Sequence, residues 1–447
     1  MKKILCILLI ALYCINPIFA QKVLTLEDCK KLALQNNFKG KNSKLEIQAS
    51  QQIKNSAFTN YFPNISAGGM MWNAQKNLME MNMKGGDLPV YDGNPANLGN
   101  ATQFAFFPSS TIGLLKKGTV GYINAVQPIY VGGRILNGNR LAALSEEVSE
   151  FKDKLTKDEI LLKTEEQYWL IVSLDEKSKT VAKYEELLSR LLSQVQDAEK
   201  SGLVLKNDVL KVKLKLSEIQ LNKSKLENGK KLATLAFCQH IGITYDSTMI
   251  LNDELKIIDL PQSIYVNKNE ALKSRTEYSL LEISVVAEKL QTNMKLGEYL
   301  PQVGVGLSAM YMKFDENDGR TLGLVFGTVS VPISNWWGAT YELEGRKIKE
   351  EIAENNLKDN SGLILLQIEK TWQDLTDAYK QYQLSEESKA QAEENLKVNE
   401  DSYKNGITTV SDLLEAQALL QNTQSQVIEA KANYLVKKIT YLKATGK

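Results

Sequence analysis

Three observations place this 447-residue chain in the α+β class, with a tandem internal repeat. Two runs alternate apolar with small or polar residues directly after a proline, four long proline-free stretches carry apolar residues every seven positions, and the chain resembles itself at an offset of 204 residues. The first predicts strands, the second packed helices of unusual length, and the third says that the combination occurs twice. Lys+Arg 54 against Asp+Glu 53 gives no basic excess, so no nucleic-acid partner is expected. A single histidine, His240, removes most histidine-based catalysis and metal ligation.

The N-terminus reads Lys2, Lys3, an apolar run from Ile4 to Ile15, a Pro17 break and Ala20 before Gln21. This is the layout of a cleaved secretory signal over residues 1–20, so the mature chain is expected to begin near Gln21. No later apolar run reaches the roughly 18 residues of a membrane-spanning helix. Cys6 and Cys14 leave with the signal. Cys29 and Cys238 remain and are read as small buried residues, their pairing left open.

The repeat is marked by two glycines. Gly202 stands in Lys200-Ser201-Gly202-Leu203-Val204 with Asp208 and Leu210 downstream; Gly406 stands in Lys404-Asn405-Gly406-Ile407-Thr408 with Asp412 and Leu414 downstream. Pro128 falls on Pro332 and Tyr168 on Trp372 at the same offset of 204, whereas Tyr61-Phe62-Pro63 matches Tyr299-Leu300-Pro301 at 238. The difference of 34 residues is an insertion between Trp72 and Gly118, rich in Asn, Gly, Met and Pro, which reads as a long loop. The expected halves are 21–241 and 262–447, each running helix, strand, loop, strand, long helix, turn, long helix.

Strand pairs are expected at about 61–72 with 119–130 and about 299–314 with 321–333, the second strand of each pair ending at a proline. Val303, Val305, Leu307, Ala309 and Tyr311 show the period of two. Each run approaches the ~9 to 11 residues that a tilted strand needs to cross a bilayer. Tyr61, Tyr130, Tyr299, Trp336 and Trp337 gather at the helix ends of these strands and Trp72 at the loop end, the distribution of interfacial girdles. A soluble sheet packing its aromatics on helices fits the strands equally. Four strands cannot settle in lipid alone, because their edges leave backbone groups unpaired, and single-chain barrels begin at about eight strands. A membrane setting therefore requires several copies to share one barrel, and a trimer supplies twelve strands.

From about Leu136 to Lys200 one helix would reach roughly 98 Å at ~1.5 Å per residue, deeper than an ordinary globular core. Leu205, Val212, Ile219, Leu226 and Ala233 recur every seven residues, as do Leu413, Leu420, Val427, Tyr434 and Tyr441. That spacing keeps one seam on a neighbour over a long distance. An antiparallel coiled coil accounts for the helices but not for the strands.

The signal, the two strand pairs opening into helical hairpins, the tandem repeat, and Ser402-Tyr403-Lys404-Asn405-Gly406 leading to Asp412-Leu413-Leu414-Glu415-Ala416 together resemble the TolC family of outer membrane efflux proteins. Thr25-Leu26-Glu27-Asp28, with Ala33-Leu34 and Asn36-Asn37, is similar to that family's first helix. The resemblance implies a homotrimeric channel-tunnel in the cell outer membrane, with a shared twelve-stranded β-barrel, four strands per chain, and a long α-helical coiled-coil barrel in the periplasm. It implies the passive exit duct of a tripartite efflux or type I secretion system. Its partners would be a periplasmic membrane-fusion adaptor, an inner-membrane transporter of RND, ABC or MFS type, and outer membrane lipid. A periplasmic coiled-coil adaptor or envelope structural protein is the competing class.

By the same resemblance Gly202, Leu203, Gly406 and Ile407 form the tips that the adaptor grips; as turn residues the glycines need no function. Asp412 and Glu415 match the aperture carboxylates, three apart and so on one helix face, which a trimer repeats as a ring able to favour cations. Taken alone they are an ordinary acidic helix start. Asp208 and Tyr403 match positions that hold the aperture shut, while Thr408 stands where relatives carry an arginine and cannot form that residue's bidentate clamp. Met79, Met81 and Met83, with Met70 and Met71 nearby, have the softness for Cu(I), but an exposed loop is the stronger reading and no metal is assigned. No phosphate loop or nucleophile-base pair is found, so neither an enzyme nor a cofactor is expected.

Overall fold

The computed structural model describes residues 23–246, 249–251, 254–257 and 259–447. The expected signal, with Cys6 and Cys14, lies outside the described residues. The helices are α1 (Leu26–Asn36), α2 (Phe38–Phe58), α3 (Arg134–Lys200), α4 (Lys206–Ile241), α5 (Lys268–Ser274), α6 (Thr276–Gly297), α7 (Trp336–Lys404) and α8 (Val410–Ala444). Among the described residues no helix is long and apolar enough to cross a membrane. The chain forms two compact units, each taking segments from both halves of the sequence.

The first unit, residues up to 51, 145–285 and 352–447, is helical. Its proline-free stretches fold as expected, α3 and α7 running unbroken for 67 and 69 residues. The seven-residue seams are its core: Val212 and Ile219 are buried on α4, and Leu413, Val427, Tyr434 and Tyr441 on α8. Leu205 departs from its seam. It is 73% exposed because it is the N-cap of α4 and precedes the first helical turn. Tyr168 on α3 meets Phe237 on α4 with ring centres 6.2 Å apart, and Trp372 on α7 meets Tyr441 on α8 at 5.2 Å. Cys29 and Cys238 are both buried, as expected. The short strands β1 (Val23–Leu24) and β8 (Ile250–Leu251) pair in parallel.

Two chain breaks, invisible as such in the sequence, tie the short helices to the long ones. Asn37 interrupts α1 and α2 and donates from Nδ2 to the carbonyl of His240 at 2.7 Å. Arg275 interrupts α5 and α6 and donates from Nη1 to the carbonyl of Lys443 at 3.2 Å, with Glu277 accepting from Nε and Nη2. Each buried donor thus serves a carbonyl near a helix C-terminus, where carbonyls lack an intrahelical partner.

His240 is held in the same place. Its ring nitrogens lie 3.4 Å from Asn37 Nδ2 and 3.1 Å from Thr164 Oγ1, and burial pushes the imidazole below its ordinary value of 6.5. Below that value the unfolded chain binds more protons than the folded one. Native stability therefore falls with pH from there until the depressed value is reached, and is unaffected above it. Unfolding midpoints taken from about pH 7.5 to about pH 5 should decline for the native protein and less so for His240→Gln; equal slopes would exclude the histidine as the cause.

The second unit, residues 52–144 and 286–351, holds the sheet. Its strands are β2 (Asn64–Asn73), β7 (Lys117–Val131), β9 (Gln302–Phe314) and β10 (Arg320–Ser330), antiparallel in the order β10-β9-β7-β2. The expected pairs are present. Pro128 does not end its strand, however: β7 continues to Val131 through a bulge between Pro128 and Tyr130, where an interrupted ladder tolerates a residue without N–H.

The expected loop between Trp72 and Gly118 is also corrected. It contains β3 (Met79–Met83) paired with β6 (Ser110–Leu114) and β4 (Gly86–Pro89) paired with β5 (Phe104–Phe107). Met-Glu-Met-Asn-Met alternates with period two, and Phe-Ala-Phe-Phe has the β-propensity to pair, so turn-rich neighbours masked a ribbon that prolongs β2 and β7.

Where β7 turns into α3, Gly132 holds φ +66 and lies against Gly297 at the end of α6. A Cβ on Gly132 would stand 2.2 Å from the Gly297 carbonyl oxygen.

Candidate functional site

Each helical hairpin turns through the same backbone device. Gly202 at φ +72 and Gly406 at φ +69 end α3 and α7 in the left-handed region open to glycine. Gly202 N–H donates to the Glu199 carbonyl and Leu203 N–H to that of Ala198, both at 2.9 Å; Gly406 donates to Tyr403 at 3.0 Å and Ile407 to Ser402 at 2.8 Å. This crossed pair of bonds satisfies the last carbonyls of a helix. Leu203 and Ile407, beside the glycines, are 79% and 76% exposed, so both tips present an apolar side chain to the outside.

The next helix starts differently in the two hairpins. At α8, Thr409 is the N-cap and Asp412 the third helical residue: Asp412 Oδ2 accepts from Thr409 N at 2.9 Å and from Thr409 Oγ1 at 2.7 Å. These bonds from the Thr409 N–H and hydroxyl hold the Asp412 carboxyl below its usual range, so it stays ionised into mild acid. Thr409-x-x-Asp412 is legible as a capping box, as is Thr25-x-x-Asp28 at α1. Glu415 is exposed one turn on. At α4 the N-cap is Leu205, which offers no side-chain acceptor, and Asp208 instead faces Lys211, Oδ1 to Nζ 3.5 Å.

The two hairpins share a cleft of about 1240 Å³ lined by Asp208, Lys211, Tyr403, Thr408, Thr409 and Gln417, among others. Tyr403 has its phenol pushed up by burial and by the Asp208 charge, which brings the two expected constraint residues into one electrostatic environment. Sequence reasoning missed Lys211, whose ammonium donates to Ser411 Oγ at 2.7 Å and so joins the start of α4 to that of α8. It also missed that Thr408 Oγ1 and Gln417 Oε1 are buried without a hydrogen-bond partner. Thr408 thus occupies its position without clamping anything. Caps and ion pairs of this kind restrain helices.

The sheet has two chemically distinct faces. One row across all four strands reads Ile65, Ala125, Leu307, Val325, and the row beside it, on the opposite face, reads Ser66, Asn124, Ser308, Leu324. Ile65, Leu307 and Val325 are 70%, 59% and 77% exposed, a contiguous apolar surface with no cover inside the chain. On the other face Ser308 Oγ donates to Asn124 Oδ1 at 2.5 Å. Along these two rows the apolar side chains stand on one face and the polar ones, Leu324 apart, on the other.

Of the expected girdle aromatics, Tyr61, Tyr130, Trp336 and Trp337 are exposed near the helix ends of the strands. Trp72, at the other end, donates from Nε1 to the Leu115 carbonyl at 3.2 Å and lies against Phe314, ring centres 5.9 Å apart. Tyr299 differs. It is buried, its hydroxyl donating to Glu342 at 2.8 Å and its carbonyl accepting from Trp336, so it anchors the strand entrance instead of presenting a ring to the outside.

Residues 269–447 match the family described as outer membrane efflux protein, the family that the sequence resembles. Over 94% of its length the chain has the fold of CmeC, the outer membrane channel of Campylobacter jejuni, with a TM-score of 0.74, 14% identity and 85% of that chain covered. VceC, an outer membrane protein of Vibrio cholerae, gives 0.72 at 13% identity over 94% of this chain and 96% of its own. The MtrE outer membrane channel of Neisseria gonorrhoeae in its open state also shows the fold. No curated protein matches the chain in sequence. The expected outer membrane location agrees with the description of the family that residues 269–447 match.

Proposed function

We propose that three copies of the chain close one twelve-stranded barrel in the outer membrane and continue it as a helical tunnel, and that this trimer is the passive exit duct of a tripartite efflux or type I secretion system. The observation that carries this reading is the sheet: β2 and β10 each have one strand neighbour, while a face of the sheet is apolar and uncovered. In hydrocarbon such edges are untenable, and pairing β2 of one copy with β10 of the next removes all of them at once. The helices support it. Val212 and Ile219 bury one seam of α4 while Leu214 and Leu221 leave a second seam 64% and 57% exposed, a surface available to a neighbouring copy.

The tandem organisation, 21–241 and 262–447, is part of the proposal. Tyr168–Phe237 and Trp372–Tyr441 are ring contacts whose members differ by 204 positions, and Asn37 and Arg275, separated by 238, do the same work at the helix breaks. An adaptor would grip Gly202, Leu203, Gly406 and Ile407, releasing the restraint in which Asp208 and Tyr403 take part. A transporter of RND, ABC or MFS type in the inner membrane would supply the energy. Asp412 and Glu415 would ring the aperture.

The test uses the purified protein in detergent and in planar bilayers. A trimeric mass with single-channel conductance is expected, and Asp412→Asn with Glu415→Gln, which keep the Thr409 cap but remove the charge, should reduce cation over anion permeability several-fold. A monomer that forms no channel would refute the duct; unchanged selectivity would leave the two carboxylates as helix-start charges.

A further inference from the structure

Five of the chain's ten methionines fall between residues 70 and 83, and three of them, Met79, Met81 and Met83, alternate along β3. A loop would give three side chains no common direction. A strand does, because successive same-face residues stand ~6.8 Å apart on one side of the pleat. Their cross-strand partners on β6 are Leu114, Ile112 and Ser110, none of them ionised, while Glu80 and Asn82 belong to the opposite face. There the Thr111 hydroxyl donates to Asn82 Oδ1 at 2.7 Å, and the Asn77 side chain lies across Gly113. Met79, Met81 and Met83 are left 57%, 54% and 37% exposed, a row of thioethers with no carboxylate among them.

The row is held in register from its base. Asp315, which opens the turn between β9 and β10, accepts the N–H of Leu115 on Oδ2 and that of Lys117 on Oδ1, each at 2.8 Å. Trp72 donates from Nε1 to the Leu115 carbonyl at 3.2 Å, so the residue that follows β6 is fixed on both sides. Packing does not account for the choice of side chain. Valine or isoleucine suits a strand better. What methionine adds is a polarisable sulfur on three rotatable bonds, a ligand for soft monovalent metal ions and a poor one for hard cations.

We propose that this row binds a soft monovalent cation, Cu(I) or Ag(I), between two adjacent thioethers, either Met79 with Met81 or Met81 with Met83, so that Met81 is common to both arrangements. Two neighbouring sulfurs each have to cross half of the ~6.8 Å repeat, within a methionine's reach, whereas Met79 and Met83 stand two repeats, ~13.6 Å, apart. Zn(II) finds no imidazole, thiolate or carboxylate on this face. The site lies within one chain, so it goes beyond the duct and stands whether or not copies associate.

The test titrates the purified full-length protein in detergent with Ag(I), which needs no reductant, against a competing chelator. One ion per chain is expected at this row, and Met81→Leu, close in volume, should weaken its binding by at least about ten-fold because both arrangements are lost. Met79→Leu and Met83→Leu each leave one arrangement and should cost only about two-fold. Cys29 and Cys238 are buried and present in every variant, so they cancel from the comparison. Bound Ag(I) should also shield Met81 from oxidation to the sulfoxide by dilute peroxide, read by mass spectrometry. Undiminished Ag(I) affinity in Met81→Leu, or Zn(II) binding that the same substitution abolishes, would overturn the site; equal losses in all three variants would overturn the pairwise arrangement.

Discussion

Gly132→Ala is expected to cost this protein most of its folded yield. Two effects add at one atom. The left-handed φ of +66 penalises any side chain by roughly 1–2 kcal/mol, and the new Cβ would meet the Gly297 carbonyl oxygen at 2.2 Å and the Gly297 Cα at 2.6 Å. Both atoms are backbone, so relief requires moving the end of α6 away from the start of α3, and the sum reaches the exceptional range of about 4 kcal/mol or more. Gly133 is the internal control. It has φ +74, but a Cβ there finds nothing nearer than 3.6 Å, so Gly133→Ala should lose only the conformational part, about 1–2 kcal/mol. Chemical unfolding midpoints of the two variants measure the difference, and equal losses would show that the close approach does not matter.

Val325→Arg should block assembly into the membrane, whereas Thr328→Arg on the opposite face of β10 should fold and change conductance. Val325 ends the apolar row that crosses all four strands and is 77% exposed. A guanidinium facing lipid near the midplane costs roughly 2–4 kcal/mol per site, and three copies would repeat it around one barrel. Thr328 pairs with Gly304 and faces the side that carries Ser308 and Asn124, where water is expected. Heat-modifiable mobility on gels and outer membrane fractionation read the outcome. Equal tolerance of both arginines would take the sheet out of lipid.

The legible parts of this protein were those whose signal is local and periodic. The seams of α4 and α8 appear in the sequence because a buried stripe must recur every seven residues, and Val212, Ile219, Leu413, Val427 and Tyr434 are buried where that count puts them. The strands after Pro63 and Pro301 appear because a two-faced sheet imposes alternation. The strands between Trp72 and Gly118 were hidden by their surroundings, since four strands of only four or five residues amid Asn, Gly and Pro stand out too little from a turn-rich stretch.

At the tips the division is sharper. Gly202 and Gly406 announced themselves, and so did the Thr409-x-x-Asp412 cap in retrospect, because a turn and a helix start are settled within a few residues. Lys211 did not, since its partner Ser411 is 200 positions away and any of the chain's many lysines could have filled that role. Tyr299 was misplaced for the same reason: whether a tyrosine faces outward or bonds Glu342 depends on where another helix lies.

The sequence by itself determined the class of each segment, the tandem pattern and the positions of the turns, because these follow from backbone conformation and from the period at which apolar residues return. The tertiary structure alone decided which donors meet which acceptors, which glycines touch, and which face of the sheet is left apolar and open. Those outcomes depend on distances between segments far apart in the chain, and no local preference encodes a distance.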